Sequence, residues 1–277
     1  MSKGSYTNKV LEECYKDYKN GKSITFIAKE RKLDRHHLSK KLKDKYNIDP
    51  SKKRNYHVEN STIYRKYNLN QSFFDNIDSE EKAYWLGFLY ADGYISKNNQ
   101  SLELGLAEID RKHIEKFASS INSDYPIYGK VTKIKDKEFK SYRIDIHSVY
   151  MVTSLIKLGC VSNKSLIIEY PSFIKNSIFE KDFIRGIFDG DGSISVSKNG
   201  GSKIAFFSGH EKFLFDIKSR ILHLTGIEMQ LKKEKTCYAL RSSKNKEMKI
   251  ILDAMYKDAS IYLDRKYEKY QNRFCRP

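Results

Sequence analysis

Residues 83–96 read AYWLGFLYADGYIS, and residues 183–195 read FIRGIFDGDGSIS. Both stretches carry a glycine inside an apolar run and then reach an Asp-Gly pair. The two aspartates, Asp92 and Asp191, lie 99 positions apart. That spacing is the length of a small domain and is too long for a solenoid repeat. The chain therefore contains a duplicated, domain-sized unit.

The segments that follow the two stretches also match. Each half predicts a short strand, a second strand (residues 101–107 and 202–207), an amphipathic helix (111–121 and 211–224), a hairpin (127–147 and 227–242) and a last helix (148–158 and 245–256). In the first half Leu102, Leu104 and Leu106 alternate with small or polar residues, which indicates a strand packed on one face only. We expect an α+β fold of two αββαββα halves with antiparallel sheets, related by a pseudo-twofold axis.

Small residues recur four positions apart on the repeated helix. Gly87 precedes Ala91, and Gly186 precedes Gly190. A glycine inside a helix costs about 1 kcal/mol relative to alanine, so its presence needs a structural reason. Small residues at this spacing let two helix backbones approach closely. We therefore expect the two repeated helices to pack on each other.

Asp92 and Asp191 come directly after the close-packed turns, and we expect Gly93 and Gly192 to end the helices in a left-handed cap. An aspartate at a helix C-terminus lies near the negative end of the helix dipole, which disfavours an anion unless a cation joins it. Two such carboxylates brought together would form an oxygen-rich site for Mg²⁺ or Mn²⁺. A single Asp-Gly pair would indicate only a turn, but two in matched surroundings favour a shared functional site.

The nine residues from 85 to 93 and from 184 to 192 resemble the paired LAGLIDADG motifs of single-chain homing endonucleases. The resemblance extends from about Tyr67 to the C-terminus. It implies metal binding by Asp92 and Asp191 with the carbonyl groups of Ala91 and Gly190. It also implies sheets lying in the DNA major groove and cleavage of both strands with 3′ overhangs.

The resemblance also implies a basic residue near the end of each half. The segments LGCVSNKS (residues 158–165) and YLDRKY (262–267) make Lys164 and Lys266 the catalytic candidates. A lysine at this place would neutralise charge that builds on the phosphate, or orient water.

Two features depart from the family pattern. Glu108 and Gly209 occupy the place of a polar, water-organising side chain, which glycine cannot supply. Tyr90 in one half corresponds to Asp189 in the other, so the halves are not equivalent and should recognise an asymmetric target. We expect Asp189 to be a solvated acid rather than a further metal ligand.

The first 50 residues predict helices only. Ile24, Ile27, Ala28 and Leu33 share one face, and Asp34 is positioned to cap a following helix. This pattern is typical of a helix-turn-helix module, and residues 1–60 carry 16 Lys and Arg against 8 Asp and Glu. Four residues of the second helix are candidates for DNA contact: Arg35, His36, Ser39 and Lys40.

The chain carries a formal net charge of +17, which favours a polyanionic partner and salt-sensitive binding. No apolar run approaches the roughly 18 residues of a membrane helix, and the N-terminus lacks a signal-peptide core. We expect a monomeric, cytoplasmic, DNA-associated protein without a membrane partner, from a bacterium or a phage-infected cell.

The predicted organisation is a helix-turn-helix module (1–50), a linker (51–72) and two LAGLIDADG halves (73–170 and 171–277). Seven residues on or beside the predicted strands are candidates for base or phosphate contact: Glu103, Lys133, Lys135, Arg143, Lys203, Lys232 and Arg241. The favoured function is a metal-dependent homing endonuclease that cuts a long duplex target and promotes mobility of its host intron or gene. A non-cleaving DNA-binding regulator and an RNA maturase acting on intron RNA remain open alternatives.

Overall fold

A computed structural model describes residues 6–19, 23–48, 66–197 and 201–275 of the chain. The chain divides into two compact units, Met1–Lys66 and Tyr67–Pro277. Residues 51–65 of the predicted linker lie outside the described residues, as do residues 1–5, 20–22 and 49–50 of the predicted N-terminal module. Within the described ranges, no helix is both long enough and apolar enough to span a bilayer.

The N-terminal unit contains three described helices, α1 (Asn8–Lys19), α2 (Ile24–Glu30) and α3 (Arg35–Tyr46). The Asp34 side chain caps α3 by accepting the amide hydrogen of His37, as the sequence predicts. The buried residues that hold the helices together are Leu11, Cys14, Tyr18, Ile24, Ile27, Ala28, Leu38, Leu42 and Ile48. Arg31 ties α2 to α1 through Glu13 and Asp17, at 2.7 and 2.8 Å.

The first half of the larger unit begins with helix α4 (Glu80–Asp92). Strands β1 (Gly93–Ile95) and β2 (Ser101–Ala107) follow, and then helix α5 (Arg111–Ser120). The hairpin β3 (Ile127–Ile134) and β4 (Lys137–His147) precedes helix α6 (Val149–Lys157). All pairings are antiparallel, and the strand order is β1-β2-β4-β3.

The second half repeats this order from helix α7 (Glu180–Asp191). Strands β5 (Gly192–Val196) and β6 (Ser202–Ser208), helix α8 (Glu211–Thr225), hairpin β7 (Gln230–Lys233) and β8 (Tyr238–Ser242), and helix α9 (Asn245–Tyr256) follow. The strand order is β5-β6-β8-β7, again antiparallel. The two αββαββα halves and the α+β fold are confirmed.

One helix was not predicted: α10 (Asp264–Tyr270), which continues into a π-helical turn over Gln271–Cys275. It follows the αββαββα pattern of the second half and contacts β5. Its Lys269 Nζ donates to the carbonyl of Ile194 at 3.1 Å. Tyr267 stacks on Tyr262, with ring centroids 3.8 Å apart.

Helices α4 and α7 pack backbone to backbone, as the small-residue spacing predicts. A Cβ atom built on Gly87 would lie 2.0 Å from the carbonyl oxygen of Phe183, and one on Gly186 would lie 2.1 Å from that of Tyr84. Contacts below 3.0 Å require something to move. Only glycine therefore permits this crossing. The buried Arg185 on α7 adds an ion pair to Glu80 on α4 at 2.7 Å.

The prediction of left-handed glycine caps is wrong. Gly93 has φ −71° and ψ 141°, and Gly192 has φ −93° and ψ 171°, so both are extended and lead directly into a strand. Glycine is required here by close approach instead of by φ. A Cβ on Gly93 would lie 2.7 Å from the carbonyl oxygen of Leu89, and one on Gly192 would lie 2.4 Å from that of Phe188.

Candidate metal and nucleic-acid site

Asp92 and Asp191 are the last residues of α4 and α7, and the helix crossing brings them together. A Cβ built on Gly190 would lie 2.3 Å from the Ala91 Cβ and 3.2 Å from Asp92 Oδ2. The residue before each aspartate thus contacts the other half. Because this contact leaves space for no side chain at position 190, the separation of the acids depends on the same small residues that fix the helix crossing.

Burial acts on both carboxyl groups, and the charge of Asp191 adds to its effect on Asp92. Burial, reinforced by the charge of Asp191, raises the pKa of Asp92 to about 6. Burial also raises the pKa of Asp191. Lys164 and Lys266 oppose both shifts through their positive charges. Two adjacent acids at helix C-termini are an unfavourable arrangement that a bound cation would relieve.

The donor set fits a hard divalent cation. It consists of two carboxylates and the neighbouring carbonyl groups, all oxygen atoms, which Mg²⁺ prefers. No cluster of three or more His, Cys, Asp or Glu side chains suitable for a metal occurs among the described residues. Mg²⁺ does not need one, since it is typically held by one or two carboxylates together with water and substrate phosphates.

Lys164 lies at the edge of the acidic pair. It begins a short 3₁₀ turn (Lys164–Leu166), and its half-buried ammonium donates to the carbonyl of Gly93, the residue after Asp92. It also lines a cavity of about 290 Å³ together with Asp191, Ala91 and Ser165. Lys164 is therefore close to both acids and accessible from the cavity.

Lys266 has a different environment, although the sequence places it symmetrically. Its side chain is fully buried, and Nζ donates to the carbonyls of Phe188 and Asp189, each at 2.6 Å, and to that of Gly190 at 3.3 Å. Burial lowers its pKa to about 8. Lys266 thus neutralises the C-terminal end of α7 and shares the Gly190 carbonyl that was predicted to bind metal.

Asp189 is buried, which corrects the expectation that it is solvated. It is 1% exposed. It accepts hydrogen bonds from Tyr84 (2.8 Å), Tyr256 (2.5 Å) and the amide of Leu263 (2.8 Å). These donors come from three segments distant in sequence, so no local pattern around Asp189 could have revealed them. Burial raises its pKa.

Gly209 is also explained by packing. A Cβ there would lie 2.8 Å from the carbonyl oxygen of Ser165 and 3.1 Å from Leu166 Cδ2. The next residue, His210, contacts the Ile168 carbonyl through Nδ1 at 2.6 Å. The turn between β6 and α8 in the second half therefore supports the segment of the first half that carries Lys164. In the other half Glu108 is exposed and pairs with Lys140 at 3.6 Å.

The sheets present an open face with mixed charge. In β2 the buried residues alternate as predicted, and the strand register aligns Glu103 with Asp145 and Gly105 with Arg143. Arg143 forms ion pairs with Glu103 at 3.5 Å and with Asp145 at 3.2 Å. Tyr128 lies beside Arg143 on the neighbouring strand and is 50% exposed.

The alternation of β3 places Lys133 on the face opposite to Arg143, where it pairs with Glu138 at 2.9 Å. Lys130, which was not among the predicted contact residues, shares the face of Tyr128 and is exposed. Lys135 is exposed in the turn between β3 and β4, with φ 52°. Strict alternation along β3 could have identified Lys130.

In the second half the candidate residues lie near one another. Lys203, Lys232 and Arg241 line a second cavity of about 280 Å³, and Arg241 pairs with Glu234. In the N-terminal unit Arg35, His36 and Lys40 are exposed on α3, whereas Ser39 is half-buried. The structure therefore keeps these side chains at the surface of their own units.

Comparison with known proteins assigns a domain to each half. Residues 81–158 match the model described as a WhiA LAGLIDADG-like domain, and residues 179–256 match the model described as a LAGLIDADG-like domain. The DNA-directed RNA polymerase subunit Rpo1C of Methanocaldococcus jannaschii is 28% identical over 183 residues, 65% of this chain. The matched region spans only 20% of that relative's length.

Among solved structures, the homing endonuclease I-WcaI bound to its DNA recognition sequence is 14% identical, with a TM-score of 0.56. The match covers 81% of this chain and 96% of that one. Full-length DUF199/WhiA from Thermatoga maritima is also similar (14% identical, TM-score 0.46, 74% of this chain and 65% of that one). The likeness to I-WcaI, together with the two domain matches, shows a LAGLIDADG-type fold.

Proposed function

Because the chain contains two LAGLIDADG-like domains in one LAGLIDADG-type fold, we propose that it is a divalent-metal-dependent, site-specific DNA endonuclease. Its substrate is a long, asymmetric duplex that is cut on both strands to leave 3′ overhangs. Cutting at such a site would promote the mobility of a host intron or of the gene itself. The protein acts as a monomer, since both halves of the site lie in one chain.

The observation that carries the proposal is the retention of both acids in one confined place. Asp92 and Asp191 are held at the ends of two crossing helices, and burial raises the pKa of each. A protein that only binds DNA gains nothing from two poorly solvated, adjacent carboxylates. Their energetic cost is explained if the site binds a cation that takes part in phosphodiester hydrolysis.

Asp92 and Asp191 would hold Mg²⁺ or Mn²⁺, with the carbonyl groups of Ala91 and Gly190. Such an ion, when bound, polarises the phosphate and lowers the pKa of water. Lys164 can approach a phosphate oxygen from the cavity and offset negative charge in the transition state. Lys266 neutralises the partial negative charge of the carbonyl groups at the C-terminal end of α7. It therefore acts on the acids through the electrostatic field of its charge.

The DNA-binding part of the proposal assigns the open faces of both sheets to the major groove. Arg143, Lys203, Lys232 and Arg241 would contribute, with Lys130 added from the strand register. Glu103 would neutralise Arg143 or accept a base amino group. We also propose that α2 and α3 form a helix-turn-helix, with Arg35, His36 and Lys40 contacting DNA.

A second candidate function is a non-cleaving DNA-binding regulator. It is favoured by the match of residues 81–158 to the WhiA domain model. The position of Lys266 also favours it, because an ammonium on the Gly190 carbonyl partly occupies a proposed metal ligand. The two candidates differ in one property: the regulator needs neither acid for its activity.

The test is selection of cleaved sequences from a genomic or randomised DNA library with Mg²⁺, followed by mapping of the cut ends. We expect defined duplex sites with 3′ overhangs, absent for Asp92→Asn and Asp191→Asn although both variants still bind the selected duplex. Sequence-specific binding without any cut in Mg²⁺ or Mn²⁺ would refute the nuclease and support the regulator.

A further inference from the structure

The residue two positions before each acid reaches toward the segment that carries the lysine of the same half. In the first half this residue is Tyr90, which is 3% exposed. Its hydroxyl donates to the carbonyl of Leu158 at 2.5 Å. Leu158 caps the C-terminus of α6 and lies in the turn that leads to Lys164.

The turn itself is built around this contact. Gly159 has φ +93°, in the region that favours glycine, and a Cβ on it would lie 2.2 Å from the Tyr90 hydroxyl oxygen. Beside it, the Cys160 thiol contacts the carbonyl of Leu89 at 3.6 Å. The chain therefore leaves α6, is held against α4 at Leu158 and Cys160, and then reaches Lys164.

In the second half the equivalent residue is Asp189. One of its carboxylate oxygens accepts the amide hydrogen of Leu263 at 2.8 Å, and the amide of Lys266 in turn donates to the Leu263 carbonyl at 3.0 Å. Leu263 is the residue from which α10 begins. Asp189 therefore fixes the start of the helix whose first turn carries Lys266.

The two contacts use opposite chemistry at the same position. Tyr90 donates to a main-chain carbonyl, whereas Asp189 accepts from a main-chain amide. An apolar side chain would fill the core equally well, and a buried polar group stabilises the fold only when it is hydrogen-bonded. Core packing alone therefore does not require a polar contact in both halves. Both contacts are made to the segment that bears the lysine of the same half, and each holds that segment next to the acids.

We propose that Tyr90 and Asp189 are positioning residues, each fixing the lysine of its own half relative to the acidic pair. The proposal rests on the proposed function for its catalytic meaning, but its structural part is independent of it. It explains why the halves differ at this position: each residue matches the main-chain group that its own lysine segment offers.

Tyr90→Phe is the decisive variant, because it removes one oxygen atom and keeps the ring that packs on Phe183. Loss of one buried hydrogen bond should speed amide hydrogen exchange of residues 159–168 by about five- to tenfold. Acetylation of the Lys164 amine should also speed up. Tyr84→Phe is the matched control: it removes another buried hydroxyl, yet it leaves the Tyr90–Leu158 bond in place. Unchanged exchange and labelling in Tyr90→Phe would overturn the proposal, whether or not the chain cuts DNA.

If the wild-type chain cuts DNA, strand-resolved cleavage provides the second readout. Tyr90→Phe should slow cutting of one strand and Asp189→Leu, which removes the acceptor for the Leu263 amide, that of the other, by about fivefold or more with DNA affinity unchanged. In a Lys164→Ala background Tyr90→Phe should have no further effect. Equal slowing of both strands, or additive effects with Lys164→Ala, would show a general structural role and overturn the proposal. If the wild-type chain cuts nothing, the proposed function fails, and the exchange and labelling result still decides the positioning role.

Discussion

The two acids show at the level of single residues how the proposed metal site opposes stability. Asp92 has a pKa of about 6, because it is buried beside Asp191. Above that pH the folded protein holds a charge that the unfolded chain would hold more easily. A carboxyl group with a raised folded-state pKa therefore destabilises the fold at neutral pH, and this effect fades as the pH falls through 6.

Asp92→Asn should therefore stabilise the metal-free protein. We expect a gain of about 1–2 kcal/mol in the free energy of unfolding at pH 8 in EDTA, because the amide removes a buried charge and its repulsion from Asp191. Mg²⁺ should raise the melting temperature of the wild type and have little effect on the variant. Urea unfolding and thermal scans with and without Mg²⁺ measure both effects. A variant that is destabilised in EDTA would contradict a raised pKa at Asp92.

His113 contributes the opposite dependence on pH. It is 2% exposed, its Nε2 lies 2.9 Å from the Tyr84 hydroxyl, and burial lowers its pKa to about 3. The unfolded chain binds a proton on this residue near pH 6.5, whereas the folded protein does not. Protonation therefore favours the unfolded chain, and the free energy of unfolding decreases as the pH falls below 6.5. Relative to His113→Gln, the wild type should lose about 2 kcal/mol between pH 7 and pH 5. Equal losses in the two proteins would show that His113 is not held neutral.

The sequence predicted that Asp92, Asp191, Lys164 and Lys266 lie near one another, but it could not predict their environments. The repeat and its small residues predicted that Asp92 and Asp191 lie close together. The burial of Asp189 and Lys266 depends on partners such as Tyr84, Tyr256 and Leu263, which are distant in sequence. A local pattern therefore cannot distinguish a buried acid from a solvated one.

Among the elements of the structure, the crossing of α4 and α7 positions both halves of the site. Hydrophobic burial drives this contact, but its geometry is set by glycine, because the backbones approach to distances that exclude a Cβ. The sequence predicted this crossing from the four-residue spacing. It also predicted most strands and helices, since apolar residues recur at the spacing of a strand or of a helix and mark the buried faces.

Gly87→Ala and Gly186→Ala should each destabilise the larger unit by several kcal/mol, because the new methyl group would meet a main-chain carbonyl of the partner helix. Gly105→Ala on β2 is the matched control, since a Cβ there would meet its nearest atom at 3.7 Å. Urea denaturation of the three variants compares them directly. Equal stability of Gly87→Ala and Gly105→Ala would show that the helices are not in backbone contact.

Helix α10 and the caps of α4 and α7 lay outside the reach of sequence patterns. Asp264–Tyr270 carries few apolar residues, and it forms a helix because Lys266 and Tyr270 are buried against the second half. The glycines after the acids suggested a left-handed cap, but the chain continues directly into a strand. Long-range packing decided both cases.

For the whole molecule, the net charge of +17 favours a polyanionic partner, and the proposed association with DNA should depend on salt. Each lysine or arginine that neutralises a phosphate contributes about one unit to the slope of log affinity against log salt. Lys203 is exposed on the open face of the second sheet, whereas Lys133 lies on the opposite face of the first and pairs with Glu138. Lys203→Ala should lower the slope by about one, and Lys133→Ala should leave it unchanged. Fluorescence anisotropy across a salt series decides this, and equal slopes for the two variants would contradict the assigned faces.

The most direct test of the proposed nuclease is strand cleavage of a duplex that the chain binds specifically, measured with Mg²⁺ at saturating protein. We predict that the wild type cuts both strands, and that Asp191→Asn binds the same duplex with similar affinity and leaves it intact. An uncut duplex with the wild type, or cleavage that survives in Asp191→Asn, would contradict a metal-dependent nuclease site at the ends of the crossing helices.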